Sequence, residues 1–337
     1  MGSDRQLRGG IDLGGTKIEA IVVDDRNAVL GQARVATPTS GGPQAVAAAM
    51  AAVMRQAADA AGVEAGSLVG VGAGSPGSVD ESSGVVSEAR NLPGWEGSFA
   101  LGEALSRTLG VPVRIGNDVA VATRAEHELG AGQGRDSLLG VFWGTGVGGG
   151  LILGGRPWRG RGGAGEIGHT VVKLGGRRCP CGRRGCLEAY AGRAAMEARA
   201  RRRAARGAAT TLFDIARHRG KDRLTSSIWW RAYRHGDPLA TELIDAAVRA
   251  LGAGIASAVN LLEVDAVVLG GGLGVRFGER FAARIADAMA PHLFRDSDPP
   301  LVEVSALGDL GGALGAALLA RPQPGGAAMS APADLAR

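Results

Sequence analysis

The chain has 337 residues, of which 45% are apolar, and it carries a formal net charge of +5. This length is enough for two domains of ordinary size, each with its own hydrophobic core. The first ten residues contain Arg5 and Arg8 but no apolar core, which argues against a signal peptide, and no uncharged apolar run is long enough to span a bilayer. We therefore expect a globular, cytoplasmic protein with no membrane partner. The positive balance permits anionic partners without requiring one.

Near the start of the chain, the sequence predicts a strand, a glycine turn and a second strand. The paired glycines Gly14 and Gly15 would expose backbone N–H groups at the tip, which is the geometry of an anion-binding nest. Thr16 adds a hydroxyl and Lys17 a cation. Asp12, just before the turn, could hold Mg²⁺ against phosphate oxygens. A plain Gly-Gly hairpin without a ligand is the alternative.

Two polar residues, Asn117 and Asp118, follow a buried strand predicted at 111–115. An acid directly after such a strand lies at the carboxyl edge of a sheet, where open α/β folds place their ligands. Asp118 is therefore the best general-base candidate in the chain. The alternative is that Asp118 caps the helix predicted at 119–129, and Asn117 could serve as the cap as well.

A second hairpin repeats the plan of the first. A strand at 138–143 enters the glycine-rich turn that begins Gly144, Thr145, Gly146, and the chain leaves as a strand at 151–153. Two such hairpins indicate two related lobes that face a shared phosphate site. A dinucleotide-binding G-x-G-x-x-G motif is excluded because a strand and not a helix follows the turn, and neither loop has the Gly-Lys-Ser/Thr ending of a Walker A motif.

All three cysteines, Cys179, Cys181 and Cys186, lie within eight positions, and His169 lies a short loop upstream. Three thiolates and one imidazole are the four ligands that tetrahedral Zn²⁺ takes in a closed structural site. A disulfide between Cys179 and Cys186 is the main alternative, although cytosolic thiols stay reduced. A nucleophilic cysteine fits less well, since it needs one isolated thiol beside a base.

Two carboxylates, Glu166 and Glu188, lie on either side of this cysteine cluster. Carboxylates accept hydrogen bonds and so suit the hydroxyl groups of a polyhydroxylated ligand. Because a zinc ion with four protein ligands has no position left for water, the metal would shape the loop and leave the carboxylates to contact the ligand. Two ordinary surface glutamates are the alternative.

The remaining pattern alternates helices and strands. An arginine-rich helix at 193–206 could form a nucleic-acid patch, but a solvated helix face is the more common explanation. A third glycine turn is predicted at 270–272, and no structure is predicted after Pro322. The other predicted helices are 39–62, 238–262, 277–289 and 312–320, and the other strands are 68–74, 266–269 and 301–304.

Taken in order, these motifs resemble those of the ROK family of sugar kinases and repressors, over about residues 10–320, and most closely its bacterial glucokinase branch. The motifs are D-x-G-G-T-K at 12–17, G-x-P-G at 74–77, N-x-P-x-W at 91–95, G-N-D at 116–118, G-T-G-x-G-G-G at 144–150, E-x-G-H at 166–169 and C-x-C-G-x-x-G-C-x-E at 179–188.

The resemblance implies an α/β protein with the two-lobed, actin-like ATPase fold of the sugar kinase/Hsp70 class, related to ribonuclease H, with a structural zinc loop at 169–188. It implies ATP, Mg²⁺ and structural Zn²⁺ as cofactors and Asp118 as the base that activates a sugar hydroxyl. By analogy the sugar contacts are Asn91, Asn117, Asp118, Glu166, His169 and Glu188. The implied nucleotide contacts are Asp12, Gly14, Gly15, Thr16, Lys17, Gly144, Thr145, Gly146, Gly271 and Gly272.

We expect a small lobe at 1–117, completed by a C-terminal helix at about 306–321, a large lobe at 118–305 and a flexible tail at 322–337. Glucose is the expected substrate, with N-acylhexosamines or fructose as alternatives and polyphosphate as another possible donor. A sugar-responsive repressor is disfavoured, because only about ten residues precede the first hairpin where such proteins carry a DNA-binding domain. The family resemblance also implies a homodimer or homotetramer.

Overall fold

The computed structural model describes residues 6–89 and 92–322. Its strands are β1 (Arg8–Leu13), β2 (Lys17–Val23), β3 (Val29–Ala36), β4 (Gly70–Ser75), β5 (Ser78–Asp80), β6 (Val85–Ser87), β7 (Ser98–Ala100), β8 (Val113–Asn117), β9 (Leu138–Trp143), β10 (Val147–Leu153), β11 (Arg156–Pro157), β12 (Ala266–Gly270) and β13 (Leu301–Val304). Its α-helices are α1 (Gly42–Ala60), α2 (Leu101–Leu109), α3 (Asp118–Leu129), α4 (Glu188–Ala191), α5 (Arg193–Ala204), α6 (Leu212–His218), α7 (Ser226–Arg234), α8 (Pro238–Leu262), α9 (Gly271–Phe277), α10 (Glu279–Met289) and α11 (Gly311–Leu319).

Two five-stranded sheets follow the same plan. The first has the order β3-β2-β1-β4-β8 and the second the order β11-β10-β9-β12-β13. In each sheet three strands form an antiparallel meander, and the next two strands run parallel to the first strand of that meander. A small third sheet, β5-β6-β7, is formed by the segment between β4 and α2. The prediction that the two glycine hairpins repeat one plan is confirmed.

Both faces of the first sheet are covered, which explains why β2 is apolar along most of its length. On one face Ile18 and Val22 pack into a core formed with α1 and α2. On the other face Ile21 and Val23 pack against α11 and α3. Burying an aliphatic side chain of this size contributes roughly 1.5–3 kcal/mol, so alternate positions of one strand stabilise two separate layers.

The C-terminal helix α11 lies in direct contact with the first sheet. A Cβ atom at Gly72 would lie 1.8 Å from the carbonyl oxygen of Ala316, and one at Gly315 would lie 1.9 Å from the carbonyl oxygen of Val121. The glycines therefore allow α11 to pack against β4 on one side and α3 on the other. The last helix of the described chain therefore packs on elements of the first half, and its assignment to a small lobe stays a prediction.

The second sheet packs on a larger core formed with α7, α8, α9 and α10, in which Trp143 and Trp229 are fully buried. Helix α8 begins as predicted, with Pro238 as its first residue and the side chain of Asp237 accepting the N–H of Ala240 at 2.7 Å. This cap and the apolar spacing that follows it explain why the helix was predictable.

Three details of the second half differ from the sequence prediction. The glycines before position 151 belong to β10, and Cβ atoms at Gly140 and Gly150 would each lie 2.3 Å from Thr123 Oγ1. These glycines make room for α3, and they form no extended turn. The prediction of a third glycine turn at 270–272 is also wrong, because Gly271 begins α9. The helix predicted at 277–289 is interrupted at Gly278, whose φ is +64°.

The two five-stranded sheets of the same plan agree with the two-lobed, actin-like ATPase fold that the sequence motifs implied. Among the described residues, no helix is long and apolar enough to cross a membrane. The expected flexible tail lies outside the described residues except for Pro322. The division into lobes at residues 117 and 305 remains a prediction.

Candidate active site

Asp12 and Asp118 lie at one edge of the first sheet, where its parallel strands end. In the parallel pairs, Asp12 is level with Gly74 and Ser75 is level with Asn117, after which Asp118 begins α3. Parallel strands bring their carboxyl ends to the same edge of a sheet. Both aspartates keep part of their surface exposed. The predicted position of Asp118 directly after a strand, at the carboxyl edge of a sheet, agrees with the structure, and its role in binding a ligand stays a prediction.

The surroundings of Asp118 disfavour its ionised form. Burial raises its pKa to about 7, and the negative charges of Asp12 and Glu166 contribute to the same shift. Burial also raises the pKa of Asp12 to about 6, although the nearby Lys17 opposes this shift. A carboxyl group with a pKa near neutrality suits a general base, since proton transfer is most efficient when the pKa lies near the working pH.

Asn117 forms the cap of α3. Its Oδ1 accepts the N–H groups of Val119 and Ala120, each at 3.1 Å, and its Nδ2 donates to the carbonyl of Gly77 at 3.4 Å. Asp118 is the first residue of the helix, with its Oδ1 2.9 Å from the N–H of Val119. The alternative role of helix cap thus belongs to Asn117, and Asp118 keeps its second carboxylate oxygen for other contacts.

The tip of the first hairpin presents Gly15 and Thr16 to solvent. Gly14 closes the turn by donating its N–H to the carbonyl of Lys17 at 2.9 Å. The hydroxyl of Thr37 donates to the carbonyl of Gly14 at 2.6 Å and holds the turn from the side of β3. The exposed tip is consistent with the predicted phosphate contacts.

Lys17 takes part in an ion-pair network that the sequence did not indicate. Its Nζ lies 2.9 Å from Glu19 Oε2 and 3.3 Å from Asp309 Oδ2. Glu19 is fully buried on β2 and also binds Arg34. Burial would raise the pKa of Glu19, but hydrogen bonds from Lys17 and Arg34 outweigh burial and lower it. Lys17, the cation predicted to contact phosphate, is therefore paired with the carboxylates of Glu19 and Asp309, and Asp309 lies just before α11.

The second hairpin rests on the segment that follows the cysteine cluster. Glu188 Oε2 accepts the N–H of Val147 at 3.0 Å, and a Cβ atom at Gly146 would lie 2.2 Å from the same oxygen. Arg193 donates from Nη2 to Thr145 Oγ1 at 2.7 Å, and its own N–H binds the carbonyl of Gly144 at 3.1 Å. Arg193 was missed by sequence reasoning, because nothing in an arginine-rich helix distinguishes one arginine from its neighbours.

Gly271 and Gly272, at the start of α9, lie beside this hairpin. A Cβ atom at Gly144 would be 3.9 Å from the backbone nitrogen of Gly272. Gly271 has a φ of +77°, and a Cβ atom there would lie 2.7 Å from the carbonyl of Trp143. Only glycine fits at this position without strain. The structure thus brings together the predicted nucleotide-binding glycines of the second half.

His169, Cys179, Cys181 and Cys186 form a compact cluster whose donor atoms all lie within 4.8 Å of one another. The sulfurs of Cys181 and Cys186 are 3.7 Å apart, and Cys179 Sγ lies 3.8 Å from His169 Nδ1. A tetrahedral zinc ion with ordinary bond lengths places its ligands about 3.6–3.8 Å apart. The four residues therefore fit Zn²⁺. All three cysteines are free thiols, so the alternative disulfide is not formed.

The two predicted sugar carboxylates contact this cluster directly. His169 turns Nδ1 toward Cys179 and lies with Nε2 4.0 Å from Glu166 Oε2. Glu188 Oε1 lies 3.9 Å from Cys179 Sγ. The cluster therefore lies against both carboxylates, and the charge of one of them, Glu166, acts on Asp118. Asn91, the remaining predicted sugar contact, lies outside the described residues.

Asp12 is the residue that fits Mg²⁺ best. The charge of its carboxylate contributes to the raised pKa of Asp118, and a divalent cation held by Asp12 would relieve this repulsion. When bound with nucleotide, the cation supplies positive charge against phosphate oxygens.

The chain has the actin-like ATPase fold, with a carboxylate, Asp118, at the carboxyl edge of its first sheet. The chain belongs to the ROK family, whose sequence model matches residues 8–323. It is 34% identical over 321 residues to a glucokinase from Streptomyces coelicolor, covering 94% of this chain and 98% of that protein. It is 31% identical over 321 residues to an N-acetylmannosamine kinase from Yersinia pseudotuberculosis, covering 92% of this chain and 97% of that protein.

Among solved structures, the chain is similar to a ROK family glucokinase from Streptomyces griseus in complex with glucose and AMPPNP. The TM-score is 0.78 at 34% sequence identity, and the match covers 93% of this chain and 98% of that one. The similarity extends through both halves of the fold.

Proposed function

We propose that this chain is an ATP-dependent hexose kinase with glucose as its preferred substrate. The observation that carries the proposal is Asp118, a carboxyl group with a pKa of about 7 at the edge of the first sheet. The structure of the similar Streptomyces griseus glucokinase, with its glucose and AMPPNP, supports this choice of substrates.

In the proposed reaction, Asp118 accepts the proton of the 6-hydroxyl of glucose as that oxygen attacks the terminal phosphate of ATP. Transfer of a phosphoryl group depends mainly on positioning and on stabilising charge. The residues that would hold the sugar are Asn91, Asn117, Glu166, His169 and Glu188. The residues that would hold the phosphates and nucleotide are Gly14, Gly15, Thr16, Lys17, Gly144, Thr145, Gly146, Gly271 and Gly272, with Asp12 on Mg²⁺.

Lys17 can serve the phosphates only if its present ion pairs allow it. Its contact with the exposed Asp309, at 3.3 Å, is the weaker of the two, and surface ion pairs contribute little to stability. The contact with the buried Glu19, at 2.9 Å, holds the ammonium group beside β2. Exchange of Asp309 for a phosphate group would keep the ammonium paired.

A second substrate class is favoured by one specific finding. A relative that is 31% identical is an N-acetylmannosamine kinase, and the identity to glucokinases is little higher. An N-acylhexosamine is therefore the alternative substrate, and fructose is a third candidate. The sequence motifs described above do not distinguish a sugar with a 2-acetamido group from one with a 2-hydroxyl group.

Release of ADP in a coupled assay tests the proposal. Glucose, mannose, fructose, N-acetylglucosamine and N-acetylmannosamine are each supplied with Mg·ATP, and polyphosphate replaces ATP in a second series. We expect the highest kcat/KM with glucose and ATP. A higher value with N-acetylmannosamine would replace the substrate and leave the mechanism, whereas no turnover with any pair would refute the kinase proposal.

The lobe boundaries at 117 and 305, the C-terminal helix as part of the small lobe and a homodimer or homotetramer are further parts of the proposal. Light scattering coupled to size-exclusion chromatography tests the oligomeric state. A monomer at micromolar concentration would contradict it.

A further inference from the structure

A groove of about 500 Å³ lies where the end of α11 meets β8 and the loop after β11. Four of its lining residues are arginines: Arg114 on β8, Arg124 on α3, Arg159 after β11 and Arg321 after α11. We call this the arginine groove. Arginines from both halves of the chain therefore place four positive charges around the arginine groove.

The positive charge of the arginine groove exceeds the negative charge around it. Glu81, which also lines the groove, pairs with Arg159. Glu128 is shared, because it accepts from Arg124 Nε at 2.7 Å and also pairs with Arg321. Two glutamates thus face four arginines, and like charges held this close repel one another unless an anion lies between them.

Arg114 is the arginine with the most free capacity for hydrogen bonds. Its Nη1 donates to the carbonyl oxygen of Leu319 at 3.2 Å, and within residues 6–89 and 92–322 its guanidinium makes no ion pair. A guanidinium group has five N–H donors, so most of those of Arg114 are available. An anion in the groove would receive charged hydrogen bonds without breaking an existing ion pair of Arg114.

The groove lies partly out of bulk water on the side of Arg124 and Glu81, whereas Arg114 is exposed and Arg159 and Arg321 are 49% and 36% exposed. The side chains of Arg124 and Glu81 are only 23% and 24% exposed. Burial raises the pKa of Glu81 even though Arg159 and Arg124 attract its charge. Attraction between charges is screened less at such a site than on an open surface.

The arginine groove is separate from the proposed active site. Arg124 follows Asp118 by six residues in α3, which corresponds to about 9 Å along the helix axis. Of the proposed sugar and nucleotide residues that the structure describes, which exclude Asn91, none lines the groove. A ligand in the groove would therefore not occupy the proposed substrate sites.

We propose that the arginine groove binds a phosphate-bearing anion. Phosphate oxygens match the planar fork of guanidinium groups, which can bind two of them at once. Inorganic phosphate, pyrophosphate and the phosphate group of a small metabolite share this chemistry. Arg114 lies on β8 in the first half of the chain and Arg159 follows β11 in the second half. An anion bound by both arginines would therefore link the two halves.

Binding of inorganic phosphate, measured by calorimetry on the full chain, tests the proposal. Glucose and AMPPNP with Mg²⁺ are present at saturation, and chloride keeps the ionic strength constant. We expect one site per chain and a higher melting temperature. Pyrophosphate and glycerol phosphate, run in parallel, distinguish a preference for inorganic phosphate from a preference for an organic phosphate.

The variant Arg114→Gln is expected to weaken phosphate binding by about tenfold or more, the size typical of a lost hydrogen bond to a charged group. It is suited to the test because it breaks only a bond to a backbone carbonyl. Arg206→Gln removes the same charge from an exposed residue outside the groove and should leave phosphate affinity unchanged. Arg159→Gln should weaken binding as well.

Three outcomes would overturn the proposal: equal affinity in Arg114→Gln and the wild type, no phosphate binding while AMPPNP is saturating, or an equal stabilisation by chloride alone. The measurement needs no turnover, so failure of the proposed kinase activity and failure of the arginine groove are distinguishable.

Discussion

Cys179 and Glu188 are in contact, with the sulfur 3.9 Å from Oε1, while the other carboxylate oxygen of Glu188 accepts the N–H of Val147 at 3.0 Å. Through this one glutamate, the cysteine cluster is joined to the second glycine hairpin. We therefore expect that loss of a metal ligand from the cluster would alter both the sugar-binding and the nucleotide-binding parts of the proposed active site.

Metal analysis should find about one zinc per chain, since three cysteines and one histidine complete a tetrahedral site. Removing the metal with a chelator should lower the melting temperature and raise KM for both sugar and ATP, because structural zinc in small peptides contributes about 10–16 kcal/mol of apparent binding energy. Cys186→Ser should reproduce these effects. Metal-free protein with unchanged KM values would contradict the assignment.

Replacing Asp118 with asparagine should lower kcat by at least about a hundredfold, the lower range of a general-base contribution. The melting temperature should not fall, because the substitution removes a negative charge that Asp12 and Glu166 repel. Glucose binding, measured by calorimetry, serves as the control for an intact site. Near-normal turnover would remove Asp118 from the mechanism.

The activity should depend on pH through Asp118. A base must be ionised to act, so kcat/KM for sugar should rise with pH through an apparent pKa near 7. Because the charge of Glu166 contributes to the raised pKa, Glu166→Gln should move the rising limb to lower pH. An unchanged profile in that variant would argue against their electrostatic contact.

The same shift predicts how stability varies with pH. Folding raises the pKa of Asp118 from its ordinary value of 3.8 to about 7, so the native state binds this proton more tightly than the unfolded state. Its contribution to stability is full below pH 3.8 and is lost as the pH rises through about 7. Asp118→Asn should therefore stabilise the protein more at pH 8 than at pH 5, measured by urea unfolding.

The cap of α3 is expected to matter for stability. Asn117→Ala removes an acceptor of two backbone N–H groups and should reduce the free energy of unfolding by about 1 kcal/mol. Asn117→Asp keeps an acceptor at the cap and should cost less. Equal losses in the two variants would show that the cap is not the source of the effect.

The close approach of α11 to the first sheet provides a test of the fold. Gly72→Ala would place Cβ 1.8 Å from the carbonyl oxygen of Ala316 and should destabilise the protein by about 1–3 kcal/mol or more. At Gly163 a Cβ atom would meet nothing within 4 Å, so Gly163→Ala is the matched control. Similar unfolding curves for both variants would contradict the packing described here.

Local patterns made much of the fold predictable. Asp237 and Pro238 mark the start of α8 by capping chemistry that acts within one turn of helix. The apolar strands around each glycine hairpin were recognisable for the same reason, because strand preference and turn chemistry depend on neighbours in sequence. The cysteine spacing and the motif set predicted the metal cluster and the family.

Contacts between distant segments were not predictable. Glycines at 148–150 look like a turn in the sequence but belong to β10, and the reason lies in α3, whose Thr123 occupies the space above Gly150. Arg193 and Asp309 likewise have no local signal, because their partners at Thr145 and Lys17 are far away in the chain.

The sequence by itself determined which chemical groups are available: the aspartate after a buried strand, the two glycine hairpins, and the three cysteines and one histidine of the metal cluster. Only the tertiary structure decided how they act together. The raised pKa of Asp118 arises from burial and from the charges of Asp12 and Glu166, which belong to different elements. A pKa depends on the surroundings of a group in space, and no local pattern specifies those surroundings.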